Sequence, residues 1–340
     1  MSGKEIEFQS IEWSIYNKDD DDDNDDISDD ESENQNIKSN GNYKVKIYGR
    51  KENGKSVTVE VNNFRPYFFV KIPDKWKLQN VILLVNHFKT KINKSAVNGL
   101  EDFKIIEKKD SYGFNADKIF KFLKLTFKDT VSYKAFENYI EYNKINNRSL
   151  FNNPVKLKLY ESNLEPLLKF FHVKDLQPCN WIKIKNARKV PKSSYCDEDY
   201  VVDHSDVSFF ENNKSAKLVV ISFDIECKPE DGVSFPQADK DKDVVTQIGS
   251  TFSYHGDPEP FHKSIITLGK AKKVDGLEGT TIESYDNEIK VLLAWTKLVQ
   301  KMDPDIVTGF NINGFDFDYL HKRSKKLGIS VQFSKLGRNL

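Results

Sequence analysis

The chain has 340 residues, 38% of them hydrophobic, with 24 Phe and 14 Tyr, which is enough apolar material for two or three cores and excludes a wholly disordered chain. No apolar stretch approaches the ~20 residues that span a bilayer, so no membrane partner is expected; three cysteines without CxxC spacing argue against a disulfide framework or a thiolate zinc site and for a reducing, intracellular compartment. The formal charge of zero hides a partition, because residues 19–33 carry nine Asp, two Glu and no basic residue, leaving 52 basic against 41 acidic residues elsewhere, an excess of +11.

A basic remainder fits a polyanionic partner, since Lys and Arg paired with phosphate supply the sequence-independent part of nucleic-acid binding. An ordinary lysine-rich surface gives the same excess. Along the chain, residues 5–16 predict a short strand. The acidic run that follows cannot bury apolar area and repels itself, so 18–40 is expected to be a disordered loop. Alternation resumes at 43–48 and 56–61 around Asn53-Gly54, a hairpin signal. Residues 49–56 also satisfy the phosphate-loop pattern GxxxxGK[ST]. That loop requires a helix to follow it, and here VTVEV follows, so a hairpin turn is the reading.

Residues 67–70 predict another strand, 78–89 an amphipathic helix, 103–110 and 119–127 strands, and 130–143 a helix with Val131, Tyr133, Phe136, Tyr139 and Ile140 on its apolar positions. Residues 153–185 predict strand, helix and strand. Residues 186–215 are polar and irregular and read as linker-like. This gives an N-terminal α+β domain over 1–215.

The chemistry lies in residues 216–340. Leu218 to Phe223 is a near-continuous apolar run, expected to be a central strand buried on both faces. Asp224 and Glu226 end it, and residues i and i+2 of a strand point to the same side. Two close ionised carboxylates repel unless a cation lies between them, and a hard divalent ion with oxygen ligands meets that need. A strand simply emerging into solvent is the alternative. Downstream, Ser284 is expected to cap a helix with Asp286 and Glu288 in its first turn, stopped at Met302-Asp303-Pro304. A short strand, 305–308, leads into Gly309-Phe310-Asn311-Ile312-Asn313-Gly314-Phe315-Asp316. Asp316 is expected at the N-terminus of a helix reaching Leu327-Gly328, as a site acid or only as an N-cap.

The pair of segments, DxE on a strand and N-x-x-x-F-D entering a helix, resembles the first and second exonuclease motifs of the DEDD nucleases, which have a ribonuclease-H-like fold. Phe223-Asp224-Ile225-Glu226-Cys227, Phe235-Pro236, Val245-Thr246-Gln247-Ile248-Gly249, Ala294-Trp295 and Met302 through Ile312 extend that resemblance to the family B DNA polymerases, of the delta type and of large DNA viruses. Phe64-Arg65-Pro66-Tyr67-Phe68-Phe69-Val70, Tyr160-Glu161-Ser162-Asn163 and Cys179-Asn180-Trp181-Ile182 match the same family's N-terminal domain.

The resemblance implies a multidomain α/β and α+β chain whose residues 216–340 form part of a 3′→5′ proofreading exonuclease domain. It implies that Asp224, Glu226 and Asp316 hold two Mg²⁺ or Mn²⁺ ions, with Asp224 bridging, Glu226 serving the attacking water and Asp316 the leaving-group side. Asn311 and Phe315 would position the DNA end. The family's third motif, Tyr-x-x-x-Asp, and its palm motifs are not found in these residues, so the chain is expected to be the N-terminal part of a DNA-directed DNA polymerase, inactive alone, with a missing C-terminal polymerase region as partner. A non-catalytic DNA-binding module and a stand-alone DEDD exonuclease are the alternatives. Implied partners are primer-template DNA, a single-stranded 3′ end and, undetermined by the sequence, a sliding clamp, in the nucleus or a cytoplasmic viral replication site.

Overall fold

The computed structural model describes residues 3–16, 41–272 and 275–339; the expected acidic loop, 18–40, lies outside them. The chain opens with β1 (Lys4–Tyr16), β2 (Lys44–Arg50) and β3 (Ser56–Asn62), paired antiparallel in sequence order. The turn between β2 and β3 is closed by Lys51 N–H to the Lys55 carbonyl and Gly54 N–H to that of Lys51, both 2.9 Å, with Gly54 at φ +83°. The phosphate-loop pattern is therefore a hairpin and opens no helix.

After Phe64 the chain enters a second sheet through β4 (Tyr67–Lys71), α1 (Leu78–Lys91), α2 (Lys94–Asn98), β5 (Leu100–Lys109), β6 (Ile119–Phe127), α3 (Thr130–Tyr142) and β7 (Leu159–Tyr160). The strand order is β5-β6-β4-β7, all pairs antiparallel, which is the split β-α-β-β-α-β arrangement. Val81, Leu84, Val85 and Phe88 of α1 and Tyr133, Phe136 and Ile140 of α3 meet Phe68, Val70, Leu123, Leu125 and Phe127 on one face. Alternation along β4 and β6 sends Phe69, Phe120 and Phe122 to the opposite face, with Tyr160.

The chain then returns to the first sheet by α4 (Pro166–Lys174), β8 (Trp181–Lys189), β9 (Glu198–Asp203) and β10 (Val207–Phe209). The order is β1-β2-β3-β9-β8-β10, and an additional β1–β8 pairing closes the sheet on itself. The stretch read as linker-like thus carries the end of β8, all of β9 and β10. Its polarity misleads because Asp199, buried in β9, accepts hydrogen bonds from Ser193 N–H, Ser193 Oγ and Ser194 Oγ at 3.0, 3.2 and 2.8 Å. The residues before 216 accordingly build two main cores of their own.

The third sheet contains β11 (Val219–Lys228), β12 (Val244–Tyr254), β13 (His262–Leu268), β14 (Thr280–Tyr285) and β15 (Ile306–Thr308), with α5 (Glu288–Met302), α6 (Asp316–Lys326) and α7 (Ser330–Phe333). The order is β14-β13-β12-β11-β15; β11 to β13 run antiparallel and β15 lies parallel to β11. Val291, Leu292, Trp295 and Val299 of α5 and Leu320 of α6 pack on Val219, Ile221, Phe223 and Ile225. The strand expected to be buried on both faces is buried on one, because Ser222, Asp224 and Glu226 occupy the alternate positions and are exposed. Ser284 belongs to β14 and caps nothing; Asn287 caps α5 by accepting from Lys290 N–H at 2.9 Å. Asp286 and Glu288 separate there, Asp286 pairing with Lys290 outside and Glu288 turning inward. Among the described residues no helix is long and apolar enough to cross a membrane.

Candidate active site

Because β11 and β15 are parallel neighbours, their C-terminal ends open at the same edge of the sheet, where α/β folds place ligands. Asp224 and Glu226 stand there on one side of β11, opposite Gly249 and Gln247 of β12. Gly249 presents no side chain beside Asp224. A register shift follows Glu226, and the pairing then resumes at Cys227 and Lys228.

The loop from β15 to α6 is folded tightly against this strand. A Cβ on Gly309 would lie 2.4 Å from the Phe223 carbonyl oxygen, so only glycine permits this approach. Asn311 is left-handed, at φ +52°, and its carbonyl accepts from the N–H of Gly314 and Phe315 at 2.9 and 3.0 Å. Its side chain lies over Gly314, where a Cβ would come within 2.3 Å of Asn311 Oδ1. Asn311 is thus held at the cavity by a backbone turn and a glycine. Phe315 is half-buried, between Phe235 and Tyr319 at 5.3 and 5.5 Å.

Asp316 begins α6, but the N-cap is Phe315 and the Asp316 carboxylate does not cap its own helix. Its Oδ1 accepts from Ile225 N–H at 3.1 Å, so the carboxylate is fixed to β11 between the positions of Asp224 and Glu226. Burial raises the Asp316 carboxyl above the usual range; the Ile225 N–H opposes that rise and the Asp224 charge adds to it. All three carboxylates line one cavity of about 1310 Å³ together with Asn311 and Phe315. None of the three forms an ion pair among the described residues, and there no three acidic, histidine or cysteine side chains already stand as a ready-made metal cage. Burial pushes the thiol of Cys227, next on β11, up to about 12, which disfavours the thiolate.

Several contributors to the cavity were given no site role from the sequence. Phe235 and Phe310 are 72% and 91% exposed at its walls, and Lys322, Lys325 and Lys326 of α6 form its basic rim. The helical spacing of those lysines was the available signal. The β11–β12 loop that carries Phe235 is fastened from beneath. Arg323 pairs with Glu288 at 2.8 and 2.7 Å and donates to the carbonyls of Ala238, Lys240 and Asp241. Tyr319 Oη donates to the Asp243 carbonyl at 2.8 Å, and the Asp243 carboxylate accepts from Glu230 and Gln237 N–H.

The family described as DNA polymerase family B, exonuclease domain, matches residues 157–340. The DNA polymerase of Acanthamoeba polyphaga mimivirus is 30% identical over 355 residues, covering 98% of this chain and 19% of its own length. The DNA polymerase delta catalytic subunit of Schizosaccharomyces pombe is 31% identical over 303 residues, 86% of this chain and 27% of that protein. The structure of the family B DNA polymerase from the archaeon Pyrobaculum calidifontis superposes with a TM-score of 0.62 at 19% identity, over 95% of this chain and 33% of that one, which shows a shared fold.

Proposed function

The chain belongs to the family B DNA polymerases, as their exonuclease-domain region, and from that premise we propose that its residues from about 216 onward remove nucleotides from a single-stranded 3′ end during proofreading of DNA synthesis. What supports the reading most is one observation: Asp224, Glu226 and Asp316 line a single cavity, with the Asp316 carboxylate bonded to the backbone between the other two.

The donor set suits hard divalent ions. Three carboxylates line one cavity without a cationic partner, and neither thiolate nor imidazole is among them. Asp224, Glu226 and Asp316 are the residues that would hold Mg²⁺ or Mn²⁺. When bound, such ions stabilise the attacking and leaving oxygens of an in-line displacement at phosphorus. The chain's own contribution is to bind and orient. Asn311, locked by its turn, offers its amide to the terminal nucleotide. Phe315 floors the cavity, and the exposed rings of Phe235 and Phe310 suit unstacked bases. The lysines of α6 meet the incoming phosphates. The same reading divides the chain near residue 215 into an N-terminal region and an exonuclease region, in line with their separate cores.

The test uses the polymerase that carries this region. Asp224→Ala with Glu226→Ala is expected to abolish digestion of a 5′-labelled primer in Mg²⁺ while primer extension by the same preparation continues. Undiminished digestion by the double variant would remove the assigned role.

A further inference from the structure

The four-stranded sheet has a face that α1 and α3 leave uncovered and that α4 meets at β4, where Lys169 lies 4.4 Å from the Tyr67 ring centroid. Helices α1 and α3 occupy one side of β5-β6-β4-β7, and the register across the strands sets out the other. One row reads Lys104, Lys124, Phe69 and Tyr160 from β5 to β7; the next holds Ile106, Phe122 and Lys71; a third pairs Lys108 with Phe120. Lysines and aromatic rings are therefore interspersed on this face.

The contacts are as regular as the pattern. The Lys124 ammonium lies 3.7 Å from the Tyr67 ring centroid, Lys108 lies 4.6 Å from that of Phe69, and Lys158 lies 3.7 and 4.9 Å from those of Tyr112 and Tyr160. Lys71 lies 3.9 Å from Phe120 but is also paired with Asp110 at 2.5 Å, and Asp110 accepts from Tyr160 Oη at 2.9 Å. Lys104, Lys108, Lys124 and Lys158 make no ion pair among the described residues. Beside the face, the β5–β6 loop holds Tyr112 and Phe114 out in water, 61% and 98% exposed. A cavity of about 390 Å³ lies between Phe69, Lys108, Tyr112, Phe122 and Tyr160.

We propose that this face is a second DNA-binding surface, distinct from the exonuclease cavity, and that its occupant is single-stranded DNA. Charge complementarity selects a polyanion, since four unpaired ammonium groups share one face. The rings select an unpaired strand. An unstacked base has a free π-face to lay on Tyr112, Phe114 or the rings behind them, whereas a duplex keeps its bases stacked on one another. Lysines seated over rings can swing outward to phosphates and leave the rings to the bases. The choice of DNA over RNA rests on the function proposed above.

The experiment is anisotropy of 5′-labelled dT16 titrated with the chain in EDTA, so that binding is read without cleavage. Tyr112→Ala with Phe114→Ala, which removes exposed rings and no core, is expected to weaken binding roughly five- to a hundredfold. Lys108→Ala, Lys124→Ala and Lys158→Ala together are expected to weaken it at least tenfold and to lower the slope of log K against log salt by about 2, at ~0.7 per phosphate contact. Amide exchange of the unmodified chain with and without dT16 is expected to show protection over 104–124. Unchanged binding in both variants, or protection confined to 310–326, overturns the proposal. So does stronger binding of rU16, which would make the occupant RNA, or displacement of dT16 by poly-glutamate at equal charge, which would make it an acidic protein. Loss of digestion in the Asp224/Glu226 variant is a separate readout, so either reading can fail without the other.

Discussion

The hairpin that imitates a phosphate loop ends in Arg50, and this residue joins the first sheet to the third. Arg50 donates from Nε to Asp305 Oδ2 at 2.5 Å, and from Nη2 to the Asp303 carbonyl and carboxylate at 2.7 and 3.1 Å. Arg338 donates to Asp303 Oδ1 and to Asp305 Oδ1, both at 2.6 Å. Asp305 Oδ2 also accepts from Val219 N–H at 2.7 Å, so the same carboxylate ties the start of β15 to the start of β11. The Asp305 side chain is fully buried and that of Arg50 is 7% exposed. Removing one partner of such a group leaves buried charge uncompensated, at a cost of about 3–5 kcal/mol. Asp305→Asn preserves shape and deletes the charge that two guanidiniums share. Native-state amide exchange at Val219 and along β15 is then expected to accelerate by roughly two to nearly four orders of magnitude, at 1.36 kcal/mol per decade. Arg50→Met should be milder, because Arg338 still pairs with the buried Asp305 and the carboxylate left over, Asp303, is 26% exposed to water. An Asp305→Asn chain whose Val219 exchange changes less than fivefold would refute the claim that this network couples the two sheets.

Gly309→Ala should push the loop off the Phe223 carbonyl, displacing Asn311 and Asp316; at least a tenfold loss of digestion with a destabilisation of about 1–3 kcal/mol in a melt is the expected pair of readings. Glu288→Gln leaves Arg323 buried without its carboxylate and should cost about 3–5 kcal/mol, read by urea titration, with proteolytic opening of the 230–243 loop. Lys169, buried against the Tyr67 and Glu161 carbonyls, is lowered by burial to about 8 from 10.5. Its folded value lies below its unfolded one, so its ammonium imposes a constant penalty below pH 8 that fades as pH rises toward 10.5, by up to about 3 kcal/mol. Relative to a Lys169→Met chain, the native chain should therefore gain stability between pH 8 and 10; a flat difference across that window rejects the argument.

The legible parts of this fold were those in which neighbours along the chain decide the outcome. Tyr43 to Val61 reads as a hairpin because alternation and Asn53-Gly54 agree. The i, i+2 relation of Asp224 and Glu226 and the entry of Asp316 into a helix are equally local. The linker-like reading of 186–214 failed because β9 carries acidic residues on both sides of its short apolar centre, Tyr200-Val201-Val202, and draws on groups the pattern does not show. Asp199 finds three donors from Ser193 and Ser194, and Val57 to Asn62 supply its strand partner from far upstream. The cap assigned to Ser284 failed similarly. Its segment pairs with β13, and that pairing extends the strand to Tyr285.

The eight residues from Gly49 to Ser56 show where a pattern ends and a function begins. A phosphate loop needs a helix N-terminus to supply aligned N–H groups, and the β-branched run Val57-Thr58-Val59 denies it that helix. What remains is a tight turn whose Gly54 carbonyl accepts from Arg50 Nη1 at 2.6 Å, which aims the guanidinium at Asp305. The glycine serves the turn, the arginine the joint between sheets, and Lys51 pairs with Glu198 on β9. Apart from Gly49, which pairs with Ser10 and Val57 inside the sheet, the residues of the apparent motif have a partner more than a hundred residues away or a turn to close. The same holds at the candidate active site, where the pattern named the carboxylates but the groups that hold the neighbouring β11–β12 loop in place, Arg323, Glu288 and Tyr319, are joined to it only by the fold.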